Sequence, residues 1–120
     1  MKAGDRLYAL LGPLVDGRIY PMIATESADQ TRPYIIWQII SSIPEVTDDG
    51  VTGHEWVRVQ IDVYHDDYDE CTDLAHKVIG SISDNIHPSE YENSQQSYET
   101  ESKLFRQSLD VEFWQTTPFT

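Results

Sequence analysis

WVRVQIDVY, residues 56–64, is the segment that decides the fold, because its side chains alternate between apolar and polar from Val57 onward. Alternation with a period of two predicts a β-strand with one face on a core. Directly after it the period changes, and apolar residues recur every three or four positions from Tyr68 to Ile86. This spacing predicts an amphipathic helix of about five turns. Asp67, with Glu70 three residues later, resembles a capping box and marks the start of that helix.

The flanking segments predict further strands and one more helix. Residues 1–11 predict a short helix that ends at Gly12-Pro13, since proline cannot continue the helical hydrogen bonds. Residues 18–20 predict a short edge strand, and residues 104–114 predict a closing strand. The β-branched and aromatic run 34–40 predicts a strand covered on both faces. The sequence therefore predicts a single α+β domain over residues 1–120, with a small, mostly antiparallel sheet, a short N-terminal helix and one long amphipathic helix packed on one face.

Three segments lack a clear periodic pattern. Residues 44–54 contain Pro44, Asp48-Asp49-Gly50 and Gly53, and predict a long hairpin loop, of a length that often signals function. Residues 89–102 are rich in Ser, Glu, Gln and Asn, and predict either a weak edge strand or a mobile loop. Residues 24–32 are polar and predict a loop.

The charge balance is strongly acidic. The 120 residues include 8 Lys and Arg against 21 Asp and Glu, a formal net charge of −13. Such a surface repels phosphate, so nucleic-acid clamps and proteins that bind anionic membranes are disfavoured. The apolar run 34–43 is far too short for a membrane span. The single cysteine, Cys71, cannot form an internal disulfide, and we expect a soluble domain in a reducing or redox-neutral compartment.

No catalytic, cofactor or metal site is predicted. A metal site near the helix start would recruit His65, Asp66 or Asp69, and His76, but on a helix the two histidines lie about 16 Å apart. Acidic residues at a helix N-terminus complement its dipole, which accounts for the cluster. Cys71 lies on the apolar stripe of the helix and is expected to be buried and structural.

Large aromatic residues leave two interpretations open. They are either anchors at a protein–protein interface or cover for the second face of the sheet. They are Tyr34, Trp37, Trp56, Tyr64, Tyr68 and Trp114.

Four ordered blocks carry a resemblance to a known family: GRIYP (17–21), PYIIWQ (33–38), RVQIDVY (58–64) followed by the acid-capped helix, and RQSLDVEFW (106–114). Together they resemble the tail-completion or tail-terminator proteins of long-tailed phages and prophages, and are similar to minor tail protein U of lambda-like phages. The resemblance covers nearly the whole chain. It implies a structural virion protein without an active site.

The resemblance also implies partners and a location. Family members form a hexameric ring on the head-proximal end of the tail tube, stop tube polymerisation and join the tail to the head connector. The implied partners are other copies of the chain, the tail tube protein and the head-completion or connector protein, with DNA passing through the lumen without specific binding and no membrane contact. The implied location is the tail–neck region of the virion, after assembly in the host cytoplasm.

Two sets of residues are the candidate sites within this framework. The loop predicted at residues 44–54 is the candidate contact with the tube or connector; its central residues are Val46, Thr47, Asp48, Asp49, Gly50, Val51 and Thr52. Polar positions on two predicted strands are candidates for a subunit interface or for the lumen; they are Arg58, Asp62, Arg106, Asp110 and Glu112. Some acids are expected to face the channel, while Lys or Arg pairs with acids at subunit joints.

Two other classes of function remain open. A monomeric acidic adaptor, or a DNA mimic that blocks a nuclease, would use the same negative charge to bind a basic protein. A small hydrolase or metal enzyme would rest only on the cluster between His65 and Glu70.

Overall fold

The structure, a computed structural model, describes residues 2–22 and 31–116. Within them the chain folds as two α-helices, one 3₁₀ turn and five strands. Residues 24–30 of the predicted polar loop lie outside the described residues. The elements are α1 (Ala3–Leu11), a 3₁₀ turn (Gly12–Leu14), β1 (Ile19–Pro21), β2 (Tyr34–Thr47), β3 (Gly50–His65), α2 (Tyr68–Asn85), β4 (Ser89–Glu99) and β5 (Leu104–Thr116).

The five strands form one mixed sheet in the order β1-β2-β3-β5-β4. β1 pairs with β2 in parallel, and the other three pairs are antiparallel. The predicted α+β class and short N-terminal helix are confirmed. The second helix, α2, has 18 residues.

The core lies between the helices and one face of the sheet. The alternation that identified β3 places Val57, Val59, Ile61 and Val63 on this face, and all four are fully buried. Three of their four partners on β5 continue the same apolar rows, and the helices cover them with their own apolar stripes. The partners and the helix residues are Leu109, Val111, Phe113, Leu7, Leu11, Cys71, Leu74, Ala75, Val78 and Ile82.

Both helices are fixed to the sheet by specific contacts. The Ala3 amide at the start of α1 donates to Gln115 Oε1 on β5 at 3.1 Å. Gly4 lies so close to the Trp37 indole that an added Cβ would stand 2.7 Å from Cζ2. Asp67 caps α2 as predicted, since its Oδ1 accepts from the Glu70 amide at 3.0 Å.

The prediction of a long hairpin loop at residues 44–54 is wrong. β2 and β3 continue through this segment, and only Asp48 and Asp49 form the turn, between the paired residues Thr47 and Gly50. Gly50 has a φ of 105°, which glycine adopts without steric penalty. β-Branched residues on either side of the turn favour strand conformation. They extend the β2–β3 ladder, so the segment is a tight hairpin and not a long loop.

The prediction that the run 34–40 is covered on both faces holds only for its first half. Tyr34 and Ile35 are buried, whereas Ile39 and Ile40 are 38% and 46% exposed. The helices cover the middle of the sheet and stop short of this part of β2. For residues 89–102, the strand alternative is correct, because Ser89–Glu99 form β4 along β5.

Candidate assembly surfaces

The five polar residues predicted for an interface or lumen lie together on the sheet face turned away from both helices. Register pairs Arg58 with Glu112, Asp62 with Ser108, and Tyr64 with Arg106 on this side, which we call the open face. Neither α1 nor α2 packs on it. Its central residues are Arg58, Gln60, Asp62, Arg106, Ser108, Asp110 and Glu112.

Asp62 is the centre of a compact network on the open face. Its carboxylate accepts from Arg106 Nη2 at 3.0 Å, Ser108 Oγ at 2.6 Å and Gln60 Nε2 at 3.1 Å. The residue is only 7% exposed, so the ion pair with Arg106 and the two neutral donors replace the water that a buried carboxylate loses. Asp62 and Arg106 therefore neutralise each other within one subunit.

A second charged cluster spans the edge of the open face. Carboxylate oxygens of Glu90, Glu92 and Glu112 lie within 4.8 Å of one another, and the Arg58 guanidinium pairs with Glu92. The hydrogen bond that protonated Glu112 donates to Glu92 is the largest cause that raises the pKa of Glu112, followed by partial desolvation and the Glu92 charge. The same hydrogen bond, together with Arg58, lowers the pKa of Glu92. The two carboxyl groups therefore repel each other when both are ionised.

Aromatic pairs border the open face at both ends. Tyr34 and Tyr64 stack with ring centroids 4.9 Å apart, and burial raises the pKa of Tyr64 to about 12. Trp56 and Trp114 meet edge to face at 5.3 Å. Four of the six aromatic residues left open by the sequence therefore contact a partner within this face. The open face also contains a cleft of about 430 Å³. Its polar lining includes Gln60, Asn93, Gln95, Ser97, Arg106, Ser108 and Asp110.

The predicted tube or connector contact, residues 46–52, forms the tip of the β2–β3 hairpin. We call this segment the hairpin tip. Val46 and Val51 pair across the strands yet are 65% and 54% exposed. The turn is held locally, since the Asp49 amide donates to Thr47 Oγ1 at 3.3 Å. The tip thus presents two apolar side chains beside two carboxylates, Asp48 and Asp49, on an ordered backbone.

The cluster at the start of α2 does not bring three potential metal ligands together within the part of the chain that the structure describes. His65 Nδ1 lies 3.0 Å from Asp66 Oδ1, and its Nε2 lies 3.0 Å from Glu70 Oε2. Within residues 2–22 and 31–116, no group of three potential ligands forms around His65, and His76 is exposed on α2. Cys71 is buried, with Sγ 3.6 Å from the Val63 carbonyl oxygen, and burial raises its pKa.

Sequence reasoning missed Glu90 and Glu92 because they lie on β4, which has no periodic apolar pattern. Glu112 was identified, but its carboxyl partners depend on which strand pairs with β5. The sequence offered one indication of this cluster. Glu90 and Glu92 are two positions apart and would share a face in a strand, which was one of the two conformations predicted for residues 89–102.

An open polar sheet face, an exposed hairpin tip and exposed apolar residues on outer strands are features common among small proteins that assemble with other chains. Comparison with protein families identifies the family. The model for tail completion protein gp17 matches residues 2–116, which include every helix and strand. The chain belongs to this tail completion family of phages, which is consistent with a structural role in the tail.

No curated protein matches the chain significantly. None of the helices in the described part of the chain has the length and apolarity needed to cross a membrane.

Proposed function

We propose that this protein forms a ring, a hexamer, that caps the head-proximal end of the phage tail tube, ends tube polymerisation and joins the tail to the head connector. The observation that carries the proposal is the family match, which runs the length of the described fold. The fold supports it with surfaces suited to three neighbours: an open face, two sheet edges and a projecting tip. The proposed location is the neck of the virion.

The open face is the proposed lining of the ring channel. Asp62 and Arg106 cancel one another, and Arg58 pairs with Glu92, so Asp110, Glu90 and Glu112 supply its excess of negative charge. Negative charge repels DNA phosphates and allows DNA to pass without specific binding. A ring reconstruction with a neutral or basic lumen would contradict this assignment.

The hairpin tip is the proposed contact with the tail tube or the connector. Its valines, Val46 and Val51, are mostly exposed and lie outside the buried core. The double substitution Val46→Ser and Val51→Ser is expected to abolish tail capping in a chain that remains folded by circular dichroism. Unchanged capping would place the contact elsewhere.

Charge repulsion must be overcome for a ring to close. Six copies of a chain with a formal charge of −13 carry about −78. Because salt shortens the range of repulsion between exposed charges, assembly should strengthen as salt or divalent cations are added. Ring dissociation on raising salt would contradict this prediction.

The decisive experiment compares tails assembled with and without the protein. Tails made in its absence are expected to be irregular in length and unable to join heads, and adding the purified protein should restore both properties. Electron microscopy measures tail length and head joining, and native mass spectrometry measures the number of copies. Tails of normal length that join heads without the protein would refute the proposal, whereas capping by a ring of another size would refute only the hexamer.

A further inference from the structure

The sheet has two outer edges with little cover. β1 pairs only with Ile35–Trp37 of β2, so residues 38–47 of β2 have no outer partner strand within the described residues. Among the described residues, β4 is the last strand at the opposite edge and pairs only with β5. An unpaired edge offers backbone N–H and C=O groups that a strand from another chain can bind. We call residues 38–47 the β2 edge.

The β2 edge also carries exposed apolar side chains. Ile39, Ile43 and Val46 are 38%, 65% and 65% exposed, although the first two belong to the most apolar run of the sequence. β4 carries two exposed tyrosines, Tyr91 and Tyr98, at 47% and 49%. Exposed apolar side chains that cluster on edge strands are characteristic of surfaces that another protein covers.

The hydrogen bonds to β1 show which backbone groups of β2 point outward. The Ile35 amide donates to the Arg18 carbonyl at 2.9 Å, and the Trp37 carbonyl accepts from the Met22 amide at 2.7 Å. In an antiparallel ladder, alternate residues turn the same way. When the register is followed through the bulge after Ile39, the next outward positions are Ile39, Ser42 and Pro44. Ile39 and Ser42 therefore direct amide donors outward, and Pro44 stands at an outward position where a missing N–H breaks no bond of the hairpin.

We propose that the β2 edge of one copy pairs with β4 of the next copy and that this strand pairing is the joint between subunits of the ring. The inference rests on the proposed ring and names the surface that closes it. The strand directions fit, because β2, β3, β5 and β4 alternate, which makes β4 antiparallel to β2. Copies related by rotation about an axis along the strands keep these directions, so the joint is an antiparallel ladder.

The β2 edge and β4 have similar lengths. Their low number of unpaired charges favours a second copy of this chain as the binding partner. The β2 edge has ten residues and β4 has 11, so each spans roughly 33–37 Å. The β2 edge contains one charged residue, Glu45, in a chain with a net charge of −13. On β4, Glu92 is already paired with Arg58. Two acidic copies thus meet along strands that bring few unpaired like charges together.

β1 sets how neighbouring copies are offset. It occupies the space beside residues 35–37, so the neighbouring β4 lies beside residues 38–47, further toward the hairpin tip. Copies at equal height in a ring accommodate such an offset when their strands tilt against the ring axis, as strands do in closed sheets.

The test measures amide hydrogen exchange of the full chain as a monomer and as a ring, formed either in solution at raised salt or on purified tail tubes. Peptides that cover residues 38–47 and 89–99 are both expected to exchange about tenfold more slowly in the ring. Ring formation without slower exchange in these two segments would overturn the joint and leave the proposed ring intact. Protection of 38–47 alone, only on tubes, would assign the edge to a tube strand and also overturn the joint.

A variant pair gives an independent test. Ser42→Pro removes one outward amide donor, and Ser42→Ala keeps it; both leave the net charge unchanged. With circular dichroism and melting temperature close to the wild-type values, Ser42→Pro is expected to reduce ring formation at least tenfold, and Ser42→Ala to leave it unchanged. A folded Ser42→Pro chain that forms rings as readily as Ser42→Ala overturns the proposal. A chain that never forms a ring, alone or on tubes, overturns the proposed function itself.

Discussion

Replacing Gly4 by alanine should destabilise the protein, although the same replacement at Gly80 should stabilise it. Both glycines lie in helices and neither has a positive φ. Alanine in a helix is favoured over glycine by up to about 1 kcal/mol, because glycine loses more backbone entropy on folding. Around Gly80 no atom lies within 4 Å of the added Cβ, so only this gain applies there.

At Gly4 the added Cβ would stand 2.7 Å from Trp37 Cζ2 and 2.9 Å from Cη2. Ordinary contact begins at 3.4 Å, so the indole would have to retreat by roughly 0.7 Å. Trp37 packs against the core, and overpacking of this kind costs about 1–3 kcal/mol. The net expectation is a loss of about 1 kcal/mol at Gly4 and a gain of about 1 kcal/mol at Gly80.

Thermal unfolding followed by circular dichroism measures both effects. For a chain of this size, 1 kcal/mol corresponds to about 4 °C in Tm, so Gly4→Ala should melt about 4 °C lower and Gly80→Ala about 4 °C higher than the wild type. The substitution Trp37→Leu frees the space, and in that background Gly4→Ala should no longer destabilise. A Gly4→Ala protein that melts at or above the wild-type temperature would refute the reasoning.

Three further predictions concern single side chains. Asp67→Ala should lower the free energy of unfolding by about 1 kcal/mol in urea titration, because the Glu70 amide loses its acceptor; an unchanged midpoint would contradict the cap. Glu112→Gln should raise Tm at pH 7, because a carboxyl group with a raised pKa costs the folded state stability as pH rises from the ordinary pKa through the raised one. The gain should vanish below that value, and a gain that persists unchanged at acidic pH would contradict the prediction. Cys71 should resist thiol reagents at neutral pH until the chain unfolds, since it is buried and its pKa is raised; fast labelling of the native protein would contradict this.

Local periodicity was sufficient to predict the part of the fold that positions the open face. From Val57 to Val63, β3 turns every second residue toward the helices, so its alternation predicted that Arg58 and Asp62 lie on the opposite face. The cap at Asp67 was predictable for a similar reason, since it depends on residues three positions apart.

The hairpin and β4 were not predictable in the same way. An apolar run such as 34–43 is predicted to be buried from its composition. Composition does not show which part of the sheet the helices cover, so the exposure of the second half of this run could not be predicted. β4 has only Ser94 and the terminal positions Ser89 and Glu99 partly buried, so its strand conformation comes from pairing with β5 and not from a pattern of its own. The carboxyl cluster of Glu90, Glu92 and Glu112 depends on that pairing and was therefore missed.

The irregularities of β2 bear on how the protein avoids aggregation. An exposed edge that accepts one strand can also nucleate fibres, in which strands add without limit. The ladder of β2 is interrupted after Ile39 and again after Pro44, and Pro44 offers no amide donor. Each break bends the strand and confines regular pairing to short runs. A flat, repeating cross-β stack cannot form along such an edge, so the strand most open to contact is also poorly suited to amyloid growth.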